Sequence, residues 1–410
     1  MGTHSIVTLA NGLRVVVISR PGTSTVASRV YIRTGSRHDG ERHGLTHVLE
    51  HMLFRGTNQR TSRQIYGEIE ALGGRINAET GKDNVCLSVV TGARYARQGL
   101  DVLGDVLLHP RFDAQDYLAE RAVILEEITR RADMRQVIWD LYDLTLWETH
   151  PLRHRVLGYT SVVEALPLED VAAHYRRFVA PPACLLVVCG ECDPTAVLDH
   201  AAGLFADFAG DAPAYDPVPQ ELPLVGKRTG DLERSILQTH VVIGWPTVGL
   251  RHPDSYVLKV IDRILGVGGA SRLYQELRER QSLVYFAFTL RAEHEDAGHF
   301  SVYTATSPLQ VEHTVETILA EIVRLRSEPV TAAELEAAKT NYEGSLAVNF
   351  ETNLSLAGIV GVETLLTGGF ESFEEAARRV RAVTAEDILR VANQYLDPER
   401  YALATVGPKV

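Results

Sequence analysis

Hydrophobic and polar positions change their period several times along the chain, and each change predicts an element. Runs rich in β-branched residues predict strands at 5–9, 13–18, 27–33, 84–91 and 185–188. Helical periodicity predicts helices at 45–54, 62–72, 94–108 and 114–133. The order is strands, then helices, then a returning strand, which is typical of an α+β sandwich.

The second half of the chain repeats this order after a proline-rich stretch at 209–230 that lacks periodicity. Strands are predicted at 238–245, 299–304 and 401–406. Helices are predicted at 255–265, 271–280, 311–326 and 332–346. Residues 303–325 also resemble residues 88–108. The pattern therefore indicates two weakly similar halves of about 200 residues each.

These patterns predict an α+β protein with two homologous α/β-sandwich domains. The first domain is expected at 1–212, the linker at 213–230 and the second domain at 231–410. A chain of 410 residues is too long for one ordinary core and suits this division.

Composition and charge exclude several classes of protein. The hydrophobic fraction of 45% excludes disorder, and no apolar run approaches the roughly 20 residues of a membrane span. A net charge of −12 argues against a broad nucleic-acid-binding face. The first residues lack a basic segment followed by an apolar stretch, so we expect a cytoplasmic protein.

Four cysteines are too few for a disulfide framework. Cys189 and Cys192 form a C-x-x-C pair, but it lies between a buried strand and a turn, without the helix start or second Cys/His pair that a redox or zinc site needs. We therefore interpret the cysteines as packing thiols, and a redox or zinc role for this pair is the alternative.

The pattern His47-x-x-Glu50-His51 falls within the first predicted helix. Residues three and four apart share one helix face, so the two imidazoles can bind one zinc ion with the carboxylate beside them. This is the inverted H-x-x-E-H motif of zinc peptidases. The alternative is a solvated helix face with two ordinary histidines.

A catalytic zinc ion needs a third protein ligand. Carboxylates recur on the helix predicted at 114–133, where Glu120 and Glu127 are two turns apart and Glu126 lies about 100° away. Spacing alone does not choose among these three glutamates.

The sequence as a whole resembles the M16 metallopeptidases, the group of pitrilysin, insulin-degrading enzyme and mitochondrial processing peptidase. The matching segments are GLTHVLEHMLFRGT at 44–57, GGRINAETGKDNVCLSVV at 73–90, ERAVILEE at 120–127 and GGASRLYQELRERQSLVY at 268–285. Their order and spacing correspond to the short M16 subfamily, so the resemblance covers nearly the whole chain.

The resemblance implies a role for each matching residue of the first half. His47, His51 and Glu127 would be the zinc ligands, and Glu50 the general base. Glu120 would support the site without binding zinc. Zinc lowers the pKa of a bound water to about 7 and polarises the peptide carbonyl. Glu50 would accept the proton and return it to the leaving amine.

The resemblance also implies how a peptide is held. Asn77 and Ala78 would lie on a short edge strand that pairs with the peptide near the scissile bond. Arg278 and Tyr285 would contact the substrate from the second half. Without the resemblance, Tyr285 would be interpreted as a packed aromatic and Arg278 as a surface charge.

We expect a zinc-dependent endopeptidase that hydrolyses peptides or unfolded segments inside a closed chamber. The second half lacks H-x-x-E-H, and its position equivalent to Glu127 is about Ser345, so only the first half is expected to bind metal. The expected partners are peptide substrates and an M16-like subunit in a homodimer or heterodimer. Two alternatives remain: an active subunit of a hetero-oligomeric precursor-processing peptidase, and an inactive scaffold subunit of the same fold.

Overall fold

The computed structural model describes residues 3–130 and 134–408, and their contacts form two compact units. Among the described residues, the first unit contains 3–130, 154–217 and 349–371. The second unit contains 134–153, 218–348 and 372–408. Each unit is therefore built from segments that are separated in the sequence.

The strands and helices are numbered here along the chain. The strands are β1 (Thr3–Thr8), β2 (Arg14–Ser19), β3 (Thr25–Ile32), β4 (Arg75–Thr80), β5 (Val85–Gly92), β6 (Cys184–Gly190), β7 (Arg228–Glu233), β8 (Thr239–Val248), β9 (Val284–Glu293), β10 (Ala297–Thr306) and β11 (Ala402–Gly407). The helices are α1 (Leu45–Leu53), α2 (Ser62–Glu70), α3 (Ala96–Leu108), α4 (Ala114–Thr129), α5 (Met134–Leu146), α6 (Thr160–Ala165), α7 (Leu168–Phe178), α8 (Pro194–Leu204), α9 (Asp254–Gly266), α10 (Arg272–Tyr274), α11 (Val311–Ser327), α12 (Ala332–Asn349), α13 (Asn353–Thr367), α14 (Phe373–Ala382) and α15 (Ala385–Tyr395).

The two sheets have corresponding strand orders and strand directions, which confirms the predicted duplication. The sheet of the first unit has the order β1-β2-β6-β3-β5-β4, and that of the second has the order β7-β11-β8-β10-β9. The parallel pair β2/β6 corresponds to the parallel pair β7/β11, and the remaining neighbours after each pair are antiparallel. Strand β1 is an addition at one edge of the first sheet.

The strands alternate their side chains between two covered faces. In β3 of the first unit, Val30 and Ile32 join the core formed with α1 and α3, while the Tyr31 hydroxyl on the other face donates to the carbonyl of Ala357 in α13 at 3.2 Å. Gly361 of the same helix lies so close to Tyr31 that a Cβ atom would come within 2.1 Å of its ring. Helix α13 therefore packs directly on the sheet.

Helix α5 covers the second sheet as α13 covers the first. Ile138, Tyr142 and Leu146 of α5 form a core cluster with Val242, Tyr303 and alternate residues of β11. Helix α5 precedes the linker in sequence, whereas α13 lies far beyond it. The contact-based units therefore differ from the expected bounds 1–212 and 231–410, because each half of the sequence contributes one helix to the sheet of the other half.

The predicted elements agree with the structure in type, with three differences. The helix predicted at 114–133 ends at Thr129, and residues 131–133 lie outside the described residues. The helix predicted at 271–280 is the short α10 followed by a π-helix, Gln275–Arg280. The linker has no regular structure from 209 to 227, and its last residues instead begin β7.

Candidate metal centre

Helix α1 is held in the core of the first unit by one face and presents polar residues on the other. Val48, Leu49 and Met52 are fully buried. The buried carboxylate of Asp39 accepts hydrogen bonds from the backbone N–H groups of Gly44 at 2.8 Å and Thr46 at 2.9 Å, which satisfies donors at the start of the helix. This anchored helix carries His47, Glu50 and His51.

His47, His51 and Glu127 converge on one point. The Nε2 atoms of the two histidines are 3.2 Å apart. Oε2 of Glu127, from α4, lies 3.9 Å from Nε2 of His47 and 3.7 Å from Nε2 of His51. The His47 side chain is 8% exposed and that of Glu127 is 46% exposed, so the cluster is open on the side of the carboxylate.

The geometry of these three donors fits a zinc ion. Zinc bonds of about 2.0–2.1 Å in tetrahedral geometry separate the ligand atoms by roughly 3.3 Å, close to the separations observed here. Burial lowers the pKa of His51, which favours the neutral ring that a metal requires. Within residues 3–130 and 134–408, these are the residues whose carboxylate and imidazole atoms form such a group of three.

Glu120 lies behind the histidines rather than among the three donors. Its Oε1 is 2.7 Å from Nδ1 of His51, and its Oε2 forms an ion pair with Arg55. A hydrogen on Nδ1 that bonds to Glu120 leaves Nε2 with its lone pair directed towards the shared point. The rotation of α4 therefore separates Glu120 from Glu127, which sequence spacing alone could not do.

Glu50 lies on the same face of α1, next to the histidines. Burial raises the pKa of its carboxyl group, and a hydrogen bond donated by the Thr80 hydroxyl to Oε2 partly opposes this change. A carboxylate whose pKa is raised towards neutral pH is better suited to accept and return a proton.

A cavity of about 310 Å³ adjoins this cluster. Glu50 and His51 line it on one side, and Phe54 and Tyr66 contribute aromatic surface. Asn77 and Ala78 of β4 form a further wall. Among the strands of residues 3–130 and 134–408, β4 is the last of its sheet and has β5 as its one neighbour, so its other edge has backbone groups available to an extended chain.

Arg278 and Tyr285 contact each other within the second unit. Arg278 lies in the π-helix, with its guanidinium 4.8 Å from the ring centroid of Tyr285 and 4.9 Å from that of Tyr274. The Tyr285 side chain on β9 is 74% exposed, so it is not the packed strand aromatic of the alternative interpretation.

In the second half, the position equivalent to Glu127 carries a serine in place of a carboxylate. This residue, Ser345, lies on α12 and donates to the carbonyl of Asn341 at 2.8 Å.

All four cysteines are free thiols, and burial raises the pKa of Cys189 to about 12 and that of Cys192 to about 11. A raised pKa disfavours the thiolate that redox and metal chemistry use.

Sequence reasoning missed three residues that support the site: Asp39, Arg55 and Thr80. Arg55 and Thr80 lie in segments already singled out, GLTHVLEHMLFRGT and GGRINAETGKDNVCLSVV. Their contacts with Glu120 and Glu50 join residues far apart in sequence. No periodicity or spacing rule contains that information.

Comparison with known families gives a consistent assignment. The family model described as insulinase (peptidase family M16) matches residues 14–159, and the model described as peptidase M16 inactive domain matches residues 165–342. A protein of Streptomyces coelicolor described as an uncharacterised zinc protease is 30% identical over 418 residues, covering 100% of this chain and 90% of its own length. The chain belongs to the M16 peptidase family.

Other relatives and a solved structure agree with this assignment. An uncharacterised zinc protease of Bacillus subtilis is 29% identical over 98% of this chain and 97% of its own length. A probable mitochondrial-processing peptidase subunit beta of Arabidopsis thaliana is 27% identical over 98% of this chain and 78% of its own length. The crystal structure of a protease from Helicobacter pylori has the same fold, with a TM-score of 0.94, 22% identity and full coverage of both chains.

No helix within residues 3–130 and 134–408 has both the length and the apolar character required to cross a membrane.

Proposed function

We propose that this protein is a zinc-dependent endopeptidase acting on peptides or unfolded segments. The observation that carries the proposal is the convergence of His47, His51 and Glu127 on one point, with Glu50 beside it. When bound there, zinc would supply an activated water molecule and polarise the scissile carbonyl. The open edge of β4 beside the cluster supports an extended substrate, because only an extended chain can pair with a strand edge.

The chain's own residues would then act in distinct ways. Glu50 accepts a proton from the attacking water and returns it to the leaving amine. Glu120 holds the ring of His51 in orientation. Asn77 and Ala78 bind the backbone of the peptide on β4, and Arg278 and Tyr285 are further substrate-binding residues in this proposal. We further propose that the substrate is enclosed in a chamber while it is hydrolysed.

The test compares the purified parent chain with Glu50→Gln in one assay, using a mixed peptide library read by mass spectrometry together with metal analysis. The parent is expected to hold about one zinc ion per chain and to cleave peptides internally. Glu50→Gln should keep the metal and lose cleavage by a factor of at least 100. A parent without zinc, or a Glu50→Gln variant as active as the parent, would refute the mechanism.

A precursor-processing peptidase is a second candidate, favoured by the similarity to a probable mitochondrial-processing peptidase subunit beta. In that case the chain would need an M16-like partner, whereas a general peptidase could act as a homodimer. Size-exclusion chromatography with light scattering gives the assembly state, and cleavage of the peptide library by the isolated chain favours the general peptidase.

An inactive scaffold subunit is the third candidate, since one matching family model is described as an inactive domain. That match begins at residue 165, however, so it does not include His47, Glu50, His51 or Glu127. The complete donor set in the first unit favours an active chain.

A further inference from the structure

Thr80 contacts the proposed general base directly. Its hydroxyl group donates a hydrogen bond to Oε2 of Glu50. Thr80 is the last residue of β4, on the strand face that it shares with Ile76 and Ala78. The strand edge that would receive a peptide and the carboxylate that would accept a proton are therefore joined by one hydrogen bond.

The turn that follows Thr80 is fixed by several contacts. The 3₁₀-helix Ser36–His38 donates two backbone hydrogen bonds to it, from Ser36 to the carbonyl of Gly81 at 3.0 Å and from Arg37 to the carbonyl of Lys82 at 3.1 Å. The Arg37 guanidinium also lies 2.7 Å from Oδ1 of Asp83 in a buried ion pair. The end of β4 is thus held to residues 36 and 37 by two backbone hydrogen bonds and an ion pair.

The same chain segment anchors the helix that carries Glu50. Asp39 directly follows the 3₁₀-helix, and it accepts the hydrogen bonds at the start of α1 described above. Both partners of the Thr80–Glu50 hydrogen bond are therefore attached to residues 36–39. A hydrogen bond between two groups that are already fixed loses little entropy on forming and can define a side-chain orientation closely.

We propose that Thr80 is a positioning residue that holds the Glu50 carboxylate in the orientation needed to accept the proton. The inference rests on the proposed function, and it connects the strand that would bind the peptide with the proposed general base. Because Thr80 joins β4 to Glu50, a peptide paired with β4 would be held at a defined position relative to the carboxylate. The scissile bond and the proton acceptor would thus be aligned by the same contact. Thr80 itself makes no contact with the reacting atoms in this role.

The alternative is that Thr80 only stabilises the strand. Three variants separate the two roles. Thr80→Val keeps the shape and β-branching of threonine but lacks the hydroxyl, whereas Thr80→Ser keeps the hydroxyl. Thr8→Val makes the same change on an exposed residue of β1 in the same sheet and serves as the matched control.

Steady-state kinetics on one cleaved peptide give the first measurement. Thr80→Val is expected to lower kcat by roughly tenfold to a hundredfold, the value of a hydrogen bond to a charged group, with KM nearly unchanged. Thr80→Ser should recover most of this loss, and Thr8→Val should match the parent. Zinc content and melting temperature are measured for every variant. If Thr80→Val melts far below the parent, Thr80→Ala provides a second variant without the hydroxyl.

Crystal structures of the parent and Thr80→Val give a second measurement that does not depend on activity. A Glu50 carboxylate that turns away from its parental position in Thr80→Val supports the inference. The inference is overturned if the carboxylate does not move or if Thr80→Val has the kcat of the parent. It is also overturned if the loss affects only KM, or if Thr80→Ser is as slow as Thr80→Val. A parent chain that cleaves no peptide refutes the proposed function instead, and the carboxylate position then decides the role of Thr80.

Discussion

The glutamates near the metal centre share one chemistry but lie in different surroundings. Glu120 is 9% exposed and bonds to His51 and Arg55, whereas Glu127 is 46% exposed and faces the two Nε2 atoms. Glu126 is directed away from the cluster and pairs with Arg130 at 2.7 Å. At the scale of single residues, burial and neighbouring side chains distinguish three glutamates that the residue type leaves equivalent.

Replacing Glu120 is expected to weaken metal binding without removing a ligand. Glu120→Gln loses the charge that pairs with Arg55 and weakens the acceptor for Nδ1 of His51. Loss of such a supporting contact typically lowers metal affinity by about 10- to 100-fold. Competition with a coloured zinc chelator measures the change. Glu126→Gln on the same helix is the control and should bind zinc as the parent does.

The sequence predicted a part of this site for a physical reason. Residues His47, Glu50 and His51 are neighbours on one helical turn, so the helical period alone brings them together. The choice of Glu127 over Glu120 and Glu126 depends on how α4 is rotated against α1, and that rotation is set by packing across the fold. The spacing therefore left three candidates, and only the resemblance to a family selected one.

A buried histidine beside α1 is expected to make the fold sensitive to acid. Burial, assisted by His38, Arg177 and Arg42, lowers the pKa of His174 to about 3. An unfolded histidine binds a proton near pH 6.5, so this contribution to stability is complete above that pH and is lost as the pH falls towards 3. The loss is about 1.4 kcal/mol for each pH unit.

Urea unfolding of the parent and His174→Gln between about pH 4 and 7 tests this expectation. The glutamine does not titrate but can still bond to the hydroxyl groups of Thr34 and Thr46, which lie within hydrogen-bond distance of Nε2 of His174. Stability should therefore depend less steeply on pH in the variant. The same change at His313, an exposed residue of α11, should leave the slope of the free energy of unfolding against pH as it is in the parent. Equal slopes for all three proteins would contradict the expectation.

At the scale of elements, the hydrophobic patterns were most informative where an element is buried on one face or throughout. Helices α3 and α11 have one buried face, whereas strands β2 and β6 are buried on both faces, and all four were predicted. Strand β4 alternates between exposed and half-buried residues, so its pattern is weak. Only the resemblance indicated an edge strand there. The π-helix after α10 was missed because its residues also fit an ordinary helix.

Two glycines in helices offer a test of how closely α13 packs on its sheet. A Cβ at Gly361 would lie 2.1 Å from the Tyr31 ring, whereas Gly344 on α12 has open space around it. Gly361→Ala is therefore expected to destabilise the fold by about 1–3 kcal/mol through overpacking. Gly344→Ala should stabilise it by up to about 1 kcal/mol through helix propensity.

Chemical unfolding of both variants measures the difference. The two substitutions are chemically identical, so a difference in sign isolates the effect of the close contact. Equal effects at the two positions would mean that the sheet can move away from α13 at little cost.

At the scale of the whole molecule, the duplication could be predicted, but the assignment of segments to units could not. The repeat is visible because equivalent elements have similar patterns of hydrophobic residues. An amphipathic helix such as α5 needs an apolar surface, and its sequence does not specify which of two similar sheets provides it. Sequence order favoured the nearer sheet, and the contacts place α5 on the other one.

The helix exchange has a consequence for any cut between the halves. Expressed separately, residues 1–212 would lack α13 and residues 231–410 would lack α5, so each fragment would leave the apolar surface of one sheet uncovered and should aggregate. A protease that nicks the finished protein within 209–227 leaves every helix in place, and the two pieces should then elute together and separate only in denaturant. We therefore expect the protein to tolerate one cut in the linker but not to assemble from halves that are expressed separately.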